Sequence, residues 1–508
     1  MKKLDSLEYL KLSKFKKILY KLASFFAGIP GWFLRIIKAI GRFFVKLGKK
    51  IKDEAVDIVK TFINGDWKTK LSYLIMGFGS FARGQVLRGI LFFLFEAVFI
   101  FYMVFAGGHW ISQIGSLGVY GPVEEYNPIL DQYVYTYHDN SFKILLYSIL
   151  TIIFIFAFIY TWRLNIKQNK IAEEILATGK KLKSGKQDLH SLVDDQFHKT
   201  LLALPVVGIT VFTVLPILFM ILIAFTNYDS KHNGYTNALF DWVGFSNFNQ
   251  LLSWKSESST LSATFGEILT WTLMWAFFAT FTNYFLGMFV AIMINKKGIR
   301  IKKVWRTILV LTIAIPQFVS LLYVSNMFSS NGIVSAALVK LGITQTPFDF
   351  WGTKWSARIM VIVINIWIGI PYLMLIATGI LMNIPQDLYE SAKIDGANSW
   401  QQYTKITLPY MLFVTGPYLL TSFIGNINNF NVIYLLTGGG PTNPNSATSG
   451  GSAGYTDLLI TWLFKITTVD SNYKIASVIG IMVFLVIAVI SLIVYNIMPS
   501  TRNEEDFS

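Results

Sequence analysis

The sequence contains no cysteine, which excludes disulfides, thiol nucleophiles and Cys-ligated zinc without fixing the redox compartment. Its five histidines are scattered and show no metal-ligand spacing. Charge is also scarce. Only 14% of the 508 residues are Asp, Glu, Lys or Arg, against about 25% in an average soluble domain. No Gly-x-x-x-x-Gly-Lys-Ser/Thr phosphate loop occurs; Gly179-Lys180 and Gly185-Lys186 lack the spacing and the hydroxyl residue. There is no dinucleotide fingerprint after a strand, no nucleophile elbow and no His-Glu-x-x-His. A nucleotide-driven activity therefore needs another subunit.

What is present is apolar: 53% hydrophobic and 16% aromatic residues, with a mean hydropathy of +0.50. A bilayer core needs about 20 apolar helical residues. Eight stretches qualify: Leu87–Ala106, Ile144–Trp162, Leu201–Phe225, Ile268–Ile294, Val304–Phe328, Ile359–Ile380, Leu408–Leu436 and Ala476–Met498. Several are interrupted by Gly or Pro (Pro205, Pro216, Pro316, Gly369, Pro371, Pro417), which membranes tolerate where neighbours or a polar cavity satisfy the freed backbone. The expected fold is an all-α polytopic membrane protein with about eight transmembrane helices.

The net charge of +15 on a soluble protein would suggest nucleic-acid binding. Its distribution says otherwise. Met1–Val86 holds 18 Lys/Arg against six Asp/Glu, a net of +12. Arg163–Lys199 holds eight basic residues and Asn295–Arg306 six, whereas Gly107–Phe142 holds none and Asn227–Gly266 two. This alternation predicts both termini on the cytoplasmic side, with Met382–Thr407 also inside by parity. The charge marks topology and the anionic inner leaflet, so no nucleic-acid partner is expected. The corresponding segments are a basic extension (1–86), two spans and a basic loop (87–199), a six-span core (200–498) and a tail (499–508).

Within the extension, Trp32–Leu47 reads as an amphipathic helix. Arg35, Lys38, Arg42 and Lys46 share one stripe; Phe33, Ile36, Ile37, Ile40, Phe44 and Leu47 fill the other side. Four basic residues in so short a run favour lying on the inner leaflet over spanning it. Glu96 is the clearest ionisable residue inside a span, either as a structural partner or as a functional group.

Two patterns carry function. The first is Asn383–Pro409. Pro385 suits a first helical turn, and Asp387 and Glu390 follow near the positive end of the dipole. Gly396 can close that helix in a left-handed cap, and Asn398 or Ser399 can cap a second one. Leu388, Ala392 and Ile394 cannot all be covered in so small a unit, which implies a partner groove. The second pattern is polar. Asn365, Gly369 and Tyr372 recur at i, i+4 and i+7, as do Ser422, Asn426 and Asn429, so each trio shares a helix face. Such amides either bond between helices or face a wet cavity, where they can donate to and accept from sugar hydroxyls. Tyr372 or Trp367 could then lie along a sugar ring.

The loop resembles the EAA signature of ABC-importer membrane subunits. Glu390-Ser391-Ala392, then Gly396, then Ile406, Leu408 and Pro409 keep every spacing, with Ser391 the one departure. Further segments are similar to the MalF-type larger membrane subunit of maltose/maltodextrin importers. They include Phe225-Thr226-Asn227-Tyr228, Asn428-Asn429-Phe430, Leu436–Pro441 and Ala453–Leu459, within about Thr200–Asn496. The resemblance implies a type I importer permease core and a non-catalytic subunit of an ATP-driven sugar importer in a bacterial cell membrane. It implies a second homologous permease subunit, two cytoplasmic ATPase subunits docked by the Glu390–Pro409 loop, and an external sugar-binding protein. It implies no cofactor. It also implies that Asn365, Gly369, Tyr372, Ser422, Asn426 and Asn429 line a sugar site. Ile313 stands where that family has a Tyr and Gly425 where it has an aromatic, which leaves a longer maltodextrin, another α-glucoside or a raffinose-type sugar open. Relatives in two-membrane bacteria insert a folded domain after the third span. Here Asn227–Gly266 is only about 40 residues, pointing to a single-membrane bacterium with a tethered binding lipoprotein. The rival from another class is an ion-coupled secondary transporter, for which a single Glu96 is a poor proton relay.

Overall fold

The computed structural model describes residues 38, 41–121, 123–136, 139–233, 239–253, 259–296, 298–447 and 452–497. Among the described residues, seven helices are long and apolar enough to cross a membrane, and a bent pair, taken as one span, brings the number to eight. These match the eight expected stretches in order. Part of the amphipathic stretch (32–37, 39 and 40), residue 498 of the last span and the tail 499–508 lie outside the described residues.

The chain folds as two compact units, Met1–Ile111 with Leu150–Ile209, and Ser112–Ile149 with Thr210–Ser508. The grouping differs from the linear segments: the connection between the first two spans belongs with the six-span core.

In the first unit, helix α1 runs over 41–64, well past the expected end at Leu47. Short turns of helix then lead into α2 (Val86–Tyr102). Helix α3 (Ser141–Ala177) contributes its second half here. Arg83, from the segment between α1 and α2, is buried against α3. It donates to Asp66 Oδ1 (2.6 Å), Thr69 Oγ1 (2.7 Å), Asn169 Oδ1 (2.6 Å) and Glu173 Oε1 (3.1 Å). Asn165 on α3 donates to Ser72 O (2.9 Å) and accepts from Gly77 N (3.0 Å). The buried Glu96 accepts from Met76 N at 2.7 Å, which makes it a structural partner of this segment.

In the second unit, two antiparallel strands, β1 (Val123–Asn127) and β2 (Gln132–Thr136), pair with Tyr126 opposite Tyr133. The third crossing, α4, runs over Phe197–Ile223, its part up to Ile209 belonging to the first unit and the rest to the second. Helix α5 (Ser259–Asn295) is the axis of the core. Apolar clusters stack along it: Phe265 and Ile268 with Trp462 and Val478, then Trp271 and Trp275 with Val361 and Val432, then Tyr284 and Met288 with Met374 and Met411. The fifth crossing, expected as one helix over Val304–Phe328, is two: α6 (Lys302–Ala314) and α7 (Gln317–Met327), bent by 91°. Pro316 lacks an N–H and pushes Ile315 into extended backbone (ψ 127°), so the helix cannot pass through. Helix α8 (Lys354–Leu381) follows, then α9 (Gln386–Ile394), α10 (Leu408–Ile427), α11 (Phe430–Thr437), α12 (Leu459–Thr468) and α13 (Tyr473–Ile497).

At one end of the unit, Asp229 fastens the connection after α4 to the start of α13. Burial pushes its carboxyl up, but Lys474 Nζ at 2.7 Å and the backbone and ring N–H groups of His232 outweigh that and hold it at about 2. A depressed carboxyl stabilises the fold above its unfolded value, near 3.8, and loses that contribution as pH falls through about 2. Asp229→Asn is expected to lower the melting temperature at neutral pH, with the gap to wild type closing below pH 3.8. A gap unchanged across that range would remove the ion pair as its cause.

Candidate functional site

The Asn383–Pro409 loop folds as its sequence requires. Helix α9 begins after Pro385 and ends at Asp395. Gly396 takes φ +77°, its N–H donates to Lys393 O (3.0 Å), and Ala397 N donates to Ala392 O (2.8 Å), closing the helix in a left-handed cap. Asn398 then caps the next turn reciprocally with Gln401. A five-residue π-turn (Tyr403–Thr407) containing Ile406 feeds into α10, with Pro409 in its first turn. Tyr389 ties the two arms together through Thr407 Oγ1 at 2.9 Å.

The expected unpartnered face is present. Leu388 and Ile394 are exposed (49% and 87%), as are Glu390 and Ser391; Ala392 is half-buried. Trp400 is 70% exposed and joins this apolar face, a residue that the spacing argument passed over. Its signal was available, since an indole on a four-residue helix has little to pack against. Glu390 accepts from Gln386 Nε2 (2.6 Å) on the same helix.

The polar trios are placed less simply. Asn365 and Gly369 on α8 face α5. A Cβ at Gly369 would stand 2.3 Å from Asn283 Nδ2, so this glycine lets α5 and α8 close on each other. Asn283 Nδ2 donates to Asn365 O at 3.4 Å, while Asn283 Oδ1 and Asn365 Nδ2 are buried with no hydrogen-bond partner among the described residues. On α10, Asn426 donates to Thr280 Oγ1 (3.0 Å) and accepts from Asn429 Nδ2 (3.3 Å), and Asn429 Oδ1 caps α11 by accepting from Val432 N. Ser422 is half-buried beside the Tyr418 hydroxyl, which lies near Tyr372. Asn426 and Asn429 thus bond between helices, while Asn365 and Asn283 keep unspent polar atoms.

Tyr372 turns the other way. With Trp367, Ile313, Thr312, Gln317 and Ser320 it lines a cavity of about 330 Å³ at the α6–α7 bend. Half of each ring, Trp367 and Tyr372, is exposed there. Gln317 and Ser320, at i and i+3 immediately after Pro316, were not singled out from sequence. Their signal is that spacing beside a helix break, where transporters place ligand sites.

Residues 283–503 match the family described as "Binding-protein-dependent transport system inner membrane component". The maltodextrin transport system permease protein MalC of Streptococcus pneumoniae is 32% identical over 84% of this chain and 95% of its own length. The galactooligosaccharides transport system permease protein GanP of Bacillus subtilis is 33% identical over 85% of this chain and 97% of its own. The maltose/maltodextrin transport system permease protein MalF of Vibrio parahaemolyticus is 33% identical over 49% of this chain and 47% of its own. The apolar helices and the near full-length similarities to MalC and GanP place the chain in a bacterial membrane and agree on one assignment: it belongs to the family of sugar ABC-importer permease subunits, the inner membrane components of binding-protein-dependent transport systems.

Proposed function

We propose that this chain forms half of the translocation path of an ATP-driven maltodextrin importer, with both of its own termini cytoplasmic. A second, homologous permease subunit supplies the other half. Two cytoplasmic ATPase subunits hydrolyse ATP, and an external sugar-binding lipoprotein delivers the oligosaccharide. The observation that carries this reading is the exposed apolar face of the Glu390–Pro409 loop, with Leu388, Ile394 and Trp400 bare on a rigidly capped unit. Such a face suits a groove on an ATPase subunit, where burying it is worth about 25 cal/mol per Å². Closure of the ATPases would draw the loops together and switch the cavity between its two sides.

In this reading, sugar runs along Trp367 and Tyr372 at the α6–α7 bend, where the rings offer apolar faces and Gln317 and Ser320 offer hydrogen bonds. The buried Asn365 and Asn283 amides join it when α5 and α8 part. Ser422, Asn426 and Asn429 complete the wall from α10 once their helix contacts exchange for hydroxyls.

The test is uptake by proteoliposomes carrying the complete importer. Maltotriose should accumulate only with both ATPase and binding protein present. Uptake by the chain without ATPase subunits would favour an ion-coupled carrier. Accumulation of labelled galacto-oligosaccharide, with none of labelled maltotriose, would favour the second cargo, which the similarity to GanP makes specific. Tyr372→Ala should raise the sugar concentration for half-maximal uptake about fivefold, the equivalent of one aromatic contact of about 1 kcal/mol. An unchanged half-maximal concentration would take Tyr372 out of the sugar path.

A further inference from the structure

Helix α1 carries an apolar face that the described residues leave largely open, although the Phe62 ring meets Tyr73 edge-on at 5.1 Å. Phe44, Val45, Ile51, Val59, Phe62 and Ile63 are 46–72% exposed. At 100° per residue they fall within an arc of about 120°, which also holds Lys52, whose long stem can carry its ammonium out to the headgroups. Next to that arc, on one side, stand Arg42, Lys46, Lys49 and Lys60. On its other side the helix is fastened to its own unit: Glu54 pairs with Arg163, Asp57 pairs with Lys170 at 2.6 Å, and Ile58 O accepts from the Tyr73 hydroxyl at 2.7 Å. Two of the three acidic residues of α1 are thus neutralised by α3; the third, Asp53, stands within the basic row, whose four cations outnumber it and leave the row net positive.

The fastening point fixes the depth. The apolar part of α3 ends at Trp162, and Arg163 is the next residue. Trp162 donates from Nε1 to Tyr73 O at 3.0 Å. An indole with its N–H turned to a polar partner at the end of a span marks the headgroup level. Helix α1 therefore leaves α3 where hydrocarbon gives way to headgroups. Its apolar arc and basic row are spaced as a helix lying in that layer requires.

We propose that α1 is seated on the membrane by anionic phospholipid headgroups of the leaflet that it faces. The apolar arc enters the acyl boundary, Arg42, Lys46, Lys49 and Lys60 meet the phosphates, and the two ion pairs to α3 hold the helix at that depth. Helix α1 then joins the permease to the lipid composition around it.

The absence of cysteine makes the test direct. Val59→Cys and Lys49→Cys each give the full-length chain a single spin-label site. The chain is placed in nanodiscs of phosphatidylcholine, with or without phosphatidylglycerol. With phosphatidylglycerol, the label at 59 should collide with oxygen and be shielded from a water-soluble nickel chelate, and the label at 49 should show the reverse. Without the anionic lipid, the label at 59 should become open to the chelate. Adding Lys46→Gln and Lys60→Gln to the Val59→Cys chain should reduce the seated fraction relative to the lifted one about 25-fold, from roughly fivefold per basic residue. A label at 59 that is equally open to the chelate in both nanodiscs would overturn the proposal. So would shielding that appears only on adding the ATPase subunits, which would make a protein the occupant.

Discussion

Replacing Gly396 by proline abolishes ATP-coupled sugar uptake while leaving the chain inserted in the membrane. Gly396 sits at φ +77°, which closes α9 and sets its angle to the Asn398-capped turn. Proline fixes φ near −65° and removes the N–H that donates to Lys393 O. Forcing it costs about 3 kcal/mol, which alone is roughly a hundredfold in a docking equilibrium. The apolar face formed by Leu388, Ile394 and Trp400 would no longer be presented as one surface. Uptake into proteoliposomes should fall at least about a hundredfold, with expression and gel-filtration profile unchanged. Gly396→Asn should retain part of the activity, because Asn tolerates the left-handed region. Full uptake by Gly396→Pro would remove the coupling role of the loop.

Arg83→Met should be the most destabilising single change in the first unit. The Arg83 side chain is 1% exposed, and its guanidinium satisfies two carboxylates, an amide and a hydroxyl. Its removal forfeits charge-assisted hydrogen bonds at about 1.5–3 kcal/mol each before screening, and because the Asp66 and Glu173 carboxylates left behind are 43% and 26% exposed, the expected net cost is about 2–3 kcal/mol. Burial already pushes the Asp66 carboxyl up, and only the Thr69 N–H, Glu173 and Arg83 together bring it below the ordinary carboxylate range. The stabilisation is therefore complete above the unfolded carboxyl value and lost on acidification. Thermal melts in detergent should show a large drop for Arg83→Met near neutral pH, narrowing in acid. Melting indistinguishable from wild type would mean that the network is not what holds residues 66–85 to α3.

Much of this was legible in the sequence, for reasons that differ by element. The crossings follow from hydropathy, which is local. The coupling loop follows from capping chemistry within thirty residues, so Pro385, Gly396 and Asn398 could be assigned their positions. The bend at Pro316 was visible as a break but not as a 91° turn, because its angle depends on what α6 and α7 pack against. Periodicity expected Asn426 and Asn429 on one helix face, but α10 ends at Ile427 and Asn429 caps α11, the two meeting through a hydrogen bond across that break. It could not show that Thr280, some 146 positions away, meets Asn426 there. The same holds for Asn283 against Gly369, and for Arg83, whose partners come from three separate segments. Helix α1 continues past Leu47 to residue 64. The ion pairs to Arg163 and Lys170 that extend it are non-local.

The bend at Pro316 also bears on how the protein is built. Helix α6 has 13 residues and α7 has 11, about 20 Å and 16 Å long, so neither reaches across a hydrocarbon core of about 30 Å. The first half also opens with Lys302, Lys303 and Arg306. Only together are the two halves long enough to cross. The break that Pro316 makes also frees backbone groups at the ends of both halves, and these lie at the polar cavity rather than against lipid.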